Sequence, residues 1–437
     1  MTTIPKPNLP AGWRWQPLDS IAAVSVSTVD KKSYDDEPPV RLCNYTDVYY
    51  SDNITADIDF MNATASSAQI RQFSVRAGDV PITKDSESSD DIGRPSFVPH
   101  DLPGVVYGYH LAIYRPFDPG FSRFLYYLFE SAHIRAELQA RTPGVTRVGL
   151  SQNTLRNLRV PLPERSEAKE IADYLDHETA EIDALLSDLD ALSKLLAEHR
   201  TLSIEGSFAA ISDRSPRLRD LGVKKASGYS ANGGATAALT HELGVLKTGS
   251  VSKGYFDSSE NKVVDEHSEI SKLCTPVTKG TVIVNRANTP ALVGAAGYVS
   301  ENHENLFVSD LLWELTLPNQ LSEVFYFYTL TRQYREQIDL ISVGASSTMK
   351  KIRFDDLSRM RVPFPHDSLV GSFLDEQRII VERHAELHEE IVRSMDLAKE
   401  RRMALISAAV TGQIDATGRR RGPSDAERLE SDLARTQ

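Results

Sequence analysis

The sequence predicts an α+β protein made of two repeats. Each repeat is a mixed α/β domain followed by a long α-helix, and the two helices pair as an antiparallel coiled coil. Three observations carry this prediction. The phrase RVPLP at residues 159–163 returns as RVPFP at 361–365, and the same shift of 202 superposes Leu155 on Leu357, Leu185 on Leu387, Leu195 on Leu397, Glu198 on Glu400 and Arg200 on Arg402. Short β-branched runs broken by Gly, Pro and Asn fill the parts before each phrase, as strands and turns require. A leucine-bearing stretch with helical spacing follows each phrase.

The organisation follows in order. Residues 1–163 form the first domain, 164–205 the first helix, 206–365 the second domain, 366–410 the second helix and 411–437 a tail expected to be disordered. In the domains, VRAGDV at 75–80 falls on VTKGTV at 277–282, and VVYGYHLAIY and GTVIVN read as strands. An aromatic amphipathic helix is predicted near 121–139 and again near 321–339, where SRFLYYL from Ser122 matches SEVFYFY from Ser322. The prolines of the repeated phrase suit an extended exit from each domain.

Beyond the first phrase, residues 166–204 contain neither Pro nor Gly. Ile171, Leu175, Ile182, Leu185, Leu189, Leu192 and Leu196 recur there at alternating spacings of three and four, the pattern of a coiled-coil seam. The second helix has a sparser stripe, with Leu387, Ile391 and Ala398 interrupted by His384 and Ser394. Two helices of matched length bury such stripes most economically against each other. The candidate seam is therefore Ile182, Leu185, Leu189, Leu192, Leu387 and Ile391.

Composition narrows the function. With 41% hydrophobic and 25% charged residues in 437, the chain is an ordinary globular protein with room for two or three cores. Its N-terminus lacks a basic-then-apolar signal pattern and no apolar run is long enough to span a bilayer, so a cytoplasmic, membrane-free protein is expected. Two cysteines, Cys43 and Cys274, supply neither a disulfide framework nor a zinc site. The net charge of −12 is unevenly placed: residues 164–205 carry −8 and 366–410 carry −3, against −2 for 1–163 and +1 for 206–365. Both domains are near neutral, which leaves each free to carry a local basic face.

Catalytic signatures are missing. The chain has no phosphate-binding G-x-x-x-x-G-K-[ST] loop, no dinucleotide loop, no Asn/Asp-Pro-Pro-aromatic tetrapeptide, no H-E-x-x-H and no G-x-S-x-G. A non-catalytic binding protein without a cofactor is expected. At the same place in each repeat, just after a strand expected to end at Val80 or Val282, comes a polar loop: ITKDSESSDDIGRPSFV at 82–98 and IVNRANTPALVGAAGYV at 283–299. Lys, Arg, Asn and Ser beside a strand end are the side chains that hydrogen-bond base edges and phosphates. This marks Lys84, Asp85, Ser86 and Arg94 in one loop and Asn285, Arg286 and Asn288 in the other as DNA-contact candidates. A coiled-coil adaptor without a DNA role is the alternative, but it does not account for two matched polar loops.

Together these features resemble the specificity subunit of a Type I restriction-modification enzyme, over essentially the whole chain. ITKDSE and VNRAN…LVG resemble the loop motifs of that family. AKEIADYLDHETAEIDALL at 168–186 and ALISAAVTGQID at 404–415 resemble its helix and C-terminal signatures. SIEGSFAA after the first helix and SLVGSFLDEQRII at the start of the second depart from the pattern. The resemblance implies two target recognition domains, each reading one half of a split double-stranded DNA site, with the helices fixing the spacing. It also implies docking of methyltransferase subunits, two in number, and of restriction/translocase subunits through the complex. Those partners would carry the chemistry, including methylation of a flipped adenine.

Overall fold

A computed structural model describes residues 7–142, 148–211, 215–344 and 348–417. The tail expected to be disordered lies, from residue 418 on, outside the described residues. In chain order the elements are β1 (Arg14–Pro17), β2 (Ala22–Val26), β3 (Pro39–Cys43), α1 (Tyr45–Tyr50), β4 (Met61–Thr64), α2 (Ser67–Phe73), β5 (Val80–Thr83), β6 (Asp85–Ser86), β7 (Val105–Tyr107), β8 (Leu111–Pro116), α3 (Ser122–Glu130), α4 (Ala132–Ala140), β9 (Val148–Gly149), α5 (Gln152–Asn157), β10 (Arg159–Leu162) and α6 (Arg165–Ile211). The second half holds β11 (Lys224–Ser227), β12 (Gly244–Leu246), β13 (Asn261–Val263), α7 (His267–Ile270), β14 (Pro276–Val277), β15 (Val282–Asn285), β16 (Ala287–Asn288), β17 (Ala296–Tyr298), β18 (His303–Phe307), β19 (Leu312–Thr316), α8 (Leu321–Thr329), α9 (Arg332–Ile341), β20 (Lys350–Lys351), α10 (Phe354–Ser358) and α11 (Val370–Val410). The chain divides into two compact units, residues 1–189 with 393–437 and residues 190–392.

In the first unit, β2-β8-β5 and β4-β3-β7 form three-stranded sheets, and β1-β10 and β6-β9 form two-stranded ones. The helices α3 and α4 bury Phe124, Leu125, Phe129, Ile134 and Leu138 in one core with Val80, Ile82 and Tyr114, to which α6 adds Ile171 and Leu175 and α11 adds Ile406 and Val410. The aromatic helix expected near 121–139 is two helices. Ser131, extended at ψ 142, ends α3 and caps α4 by accepting a hydrogen bond from the Ile134 amide, a short polar residue competing with the helix interior.

In the second unit, β11-β19-β15-β17 and β13-β12-β18-β14 form four-stranded sheets and β16-β20 a two-stranded one. Its main core joins Val282, Trp313, Phe325 and Tyr328 to Ile204 and Phe208 of α6 and Phe373 and Leu374 of α11. The expected helix 321–339 likewise divides at Thr331, which caps α9 through the Tyr334 amide.

The repeated RVPxP phrase is a strand-end clamp. Arg159 begins β10, which pairs antiparallel with β1, and its guanidinium donates to the Trp15 carbonyl at 2.7 Å. Arg361 bridges Arg217 and donates to the Ser215 carbonyl at 3.0 Å. Each phrase thus ties the end of its domain back to that domain's beginning.

Both long helices form. The first continues past the expected end at 205 to Ile211, through Gly206. Ile204 and Phe208 are buried on either side of that glycine, and the burial of two large side chains outweighs its cost of about 1 kcal/mol. Within each unit the helices run antiparallel. In the first, Asp183 accepts from Arg402 at 2.9 Å. In the second, Ser193 meets His388 at 3.4 Å, His199 meets His384 at 3.1 Å and Ser207 meets Glu376 at 3.1 Å, the numbers rising on one helix as they fall on the other.

The seam is phased differently from the leucine pattern. Ile182 and Ile391 are buried and Leu189 is half-buried, but Leu185 and Leu192 are each 50% exposed and Leu387 is 40% exposed. The inward stripe of α6 instead runs Ile182, Leu186, Leu189, Ser193, Leu196, Arg200 and Ile204, and on α11 Leu387 and His388 are both exposed, with partly buried His384 and buried Ile391 on either side of them. Leucines occupy two faces of these helices, and polar residues fill two inward positions on α6. Leucine content alone therefore marks the wrong stripe at Leu185, Leu192 and Leu387. Among the described residues no helix is long and apolar enough to cross a membrane.

Candidate DNA interface

The two polar loops hang on the same backbone frame. In the first unit Gly93 donates to the Thr83 carbonyl at 2.9 Å; in the second, Gly294 donates to the Asn285 carbonyl at 2.7 Å. Both glycines have positive φ, 78° and 79°, which disfavours a side chain. There is also no space for one, because a Cβ on Gly93 would collide with Leu138 and one on Gly294 would lie 2.8 Å from Ile338. The residue after the strand is clamped on both sides. Lys84 donates to the His110 carbonyl and accepts from the Leu150 amide, at 2.9 and 3.0 Å. Arg286 donates to the Leu311 carbonyl and accepts from the Ile352 amide, both at 3.0 Å. Lys84 and Arg286 are therefore equivalent positions, as are Thr83 and Asn285, and Ser86 and Asn288.

This frame sorts the candidates. Asn285 ends β15 with no exposure; its amide donates to the Thr248 carbonyl at 3.0 Å and its Oδ1 is buried without a hydrogen-bond partner. It faces the core, as Thr83 does at 0% exposure, and is corrected from base contact to structural residue. All four residues of β15 are buried, so a side chain at its end is enclosed whichever face it takes, and its polarity alone suggested otherwise. Arg286 is partly exposed with its Nε buried and unpartnered. Asn288 is partly exposed, accepts from the Thr289 amide at 2.8 Å and pairs in register with Lys350 across β16-β20. Lys351 beside it is exposed.

In the first unit Lys84 holds Asp85, which His110 also approaches at 3.2 Å, and Ser86 accepts from Tyr45 at 3.4 Å. Arg94 is turned back to the protein: its Nε donates to the Tyr49 carbonyl at 3.1 Å and its guanidinium lies 3.6 Å from Asp52. Lys84, Asp85 and Ser86 are brought together, with Arg94 behind them.

Asp85 and Ser86 line a cleft of about 410 Å³ that sequence reasoning did not find, walled by Lys31, Tyr45, Tyr49, Tyr50 and Asp91. The tyrosines come from α1, whose Asn44 capping box starts a helix only six residues long. Tyr45 and Tyr49 stack at 5.6 Å, and Tyr50, 79% exposed, stands perpendicular to Tyr49 at 4.9 Å. Tyr49 donates to Asp91 at 2.7 Å, and that bond to a carboxylate raises its phenol above the ordinary range. Burial raises Tyr45 as well. Both therefore stay protonated donors at neutral pH. The signal in the sequence was YTDVYY, three aromatic rings at spacings of four and five on one short helix, beside a loop already singled out.

The two loops differ in sign on a common frame. Asp85, Ser86 and Asp91 offer acceptors in the first; Arg286, Asn288, Lys350 and Lys351 offer mainly donors in the second. Acceptors suit the amino groups of cytosine and adenine, and donors suit guanine or phosphate. Among the described residues no group of three or more His, Cys, Asp or Glu side chains is arranged to hold a metal ion.

Residues 245–391, all within the second unit, match the Type I restriction modification DNA specificity domain. No curated protein matches the chain. Among solved structures, a chain from a study of complex assembly and conformational transition of the type I R-M system is 16% identical, covers 93% of this chain and 100% of its own, and has a TM-score of 0.61. The HsdS subunit from Thermoanaerobacter tengcongensis is 16% identical over 93% of this chain and 98% of its own, with a TM-score of 0.44. The S subunit from M. genitalium is 12% identical over 92% and 96%, with a TM-score of 0.38. This chain therefore has the α+β repeat fold with two long helices, and it carries a sequence-specificity domain. The family resemblance read from its sequence is supported over residues 245–391.

Proposed function

We propose that this chain is the DNA-reading, non-catalytic subunit of a Type I restriction-modification complex acting in the cytoplasm. The observation that carries this is the pair of loops after β5 and β15, held by identical backbone bonds but bearing different side chains. One frame with two side-chain sets is what two half-sites of different sequence require. Ser86, Asp85 and the tyrosine cleft serve one half-site, and Arg286, Asn288 and Lys350 the other. Lys84 acts by orienting Asp85. Helix length sets the unspecified spacer between the halves.

The leucines that the helices leave outside serve assembly. Leu185 and Leu397 in the first unit, and Leu192, Leu195 and Leu202 in the second, are each about half exposed or more. A methyltransferase subunit docks on each unit, giving two, and restriction/translocase subunits join through that complex. The coiled-coil adaptor reading accounts for this face but not for the specificity-domain match at 245–391.

The test is DNA binding by the chain assembled with its methyltransferase. Affinity should fall steeply with salt, by counterion release, while preference for one two-part sequence persists. Salt-insensitive binding, or none, would defeat the proposal.

A further inference from the structure

The contact between each recognition domain and its own long helix is built from opposite chemistry in the two units. In the first, Arg123 of α3 donates to Asp176 of α6 at 2.6 Å, and Tyr127 donates to the same carboxylate at 2.6 Å. The Tyr127 hydroxyl also lies 3.2 Å from the Thr179 hydroxyl, which is buried. Arg123 stacks over Phe97 and Tyr126 at 4.9 and 4.6 Å, which fixes where its charge points.

In the second unit the matching residues are reversed. The 122/322 alignment puts Glu323 where Arg123 stands and Phe327 where Tyr127 stands, and the 155/357 alignment puts Arg378 at Asp176 and Val381 at Thr179. Arg378 of α11 holds Glu323 of α8 by two bonds of 2.7 and 2.6 Å, and Glu323 is buried. Phe327 is buried as well, and Val381 packs on the core that contains it. The charge pair has changed sign, and the hydroxyl pair has become apolar at both of its ends.

From this we infer that the two contacts are addresses, admitting each recognition domain to its own helix and rejecting it from the other. The first domain against the second helix would set Arg123 against Arg378 and leave the Tyr127 hydroxyl facing Val381. The second domain against the first helix would set Glu323 against Asp176. Each wrong pairing leaves a like-charge contact in a partly buried place, where a lost partner costs more than a surface pair contributes. A repeat protein needs such a device, because its two domains share one frame and its two helices share one pattern. The partner each surface fits is thus the helix of matched sign in this chain.

The test begins in the full-length chain. Arg378→Asp with Val381→Thr should lower the unfolding midpoint of the second unit by about 5 °C or more, and adding Glu323→Arg with Phe327→Tyr should restore at least half of that loss. In a chain whose residues 206–365 are replaced by a second copy of 1–163, the same Arg378→Asp/Val381→Thr pair should have the opposite sign and raise the midpoint. A quadruple variant no better than the double would overturn the inference, as would a double that lowers the midpoint in both backgrounds. If the duplicated chain does not fold, the comparison of double and quadruple variants decides alone.

Discussion

Asn285 and Asn288 stand three residues apart in one loop, and the geometry assigns them opposite roles. Replacing Asn285 by Ala removes its 3.0 Å bond to the Thr248 carbonyl. That carbonyl keeps a second donor, the Ser252 hydroxyl at 2.9 Å, so it is not stranded. The loss is then one net hydrogen bond, about 0.5 to 1.5 kcal/mol. A small cavity adds to it, and removal of the unpartnered Oδ1 offsets part of it. The sum is near 1 kcal/mol, a shift of about 2 to 4 °C in the midpoint of a unit this size. The methylated motif should be unchanged. Asn288→Ala should leave the midpoint in place and cost about 1 to 3 kcal/mol of discrimination at one base pair of one half-site. The assay is thermal unfolding beside methylation of a library of site variants. A relaxed motif with unaltered stability for Asn285→Ala would refute the assignment.

Three further outcomes follow. Leu185→Asp with Leu192→Asp should abolish capture of the methyltransferase subunit while shifting the urea midpoint little, since both side chains are half exposed; a large loss of stability would return them to the seam. Leu175→Ala, at a fully buried position, should cost about 2 to 5 kcal/mol in unfolding free energy, and a cost near zero would show that α6 does not complete the first core. Burial holds the Cys43 thiol well above its usual range while Cys274 is exposed, so a thiol reagent at pH 8 should titrate one cysteine in the folded chain and two in denaturant.

Much of this architecture was legible because a repeat reports equivalence directly. The shift that aligns RVPLP with RVPFP also aligns Lys84 with Arg286 and Leu150 with Ile352, and those residues share backbone partners. What the pattern lacked was direction. Asn285 and Asn288 have the same polarity, and only the burial of β15 on both faces and the Thr248 carbonyl set the first apart from the second. Leu185 and Leu186 are adjacent leucines, and the phase between them is set by a seam that accepts Ser193 and Arg200. The tyrosine cleft joins α1 to a loop some forty residues on, a proximity made by folding and absent from any local pattern. The inverted pairs at Arg123 and Glu323 were visible as letters, but their partners on the helices were not.

The central claim, that this chain gives a methyltransferase its sequence, is tested most directly by mapping modified bases in the DNA of cells that express both. The account predicts methylated adenines in a motif of two specified parts separated by a fixed number of unspecified bases. Ser86→Ala should change one part only and Asn288→Ala the other only. A continuous motif, a motif indifferent to both substitutions, or one in which a single substitution alters both parts would contradict it.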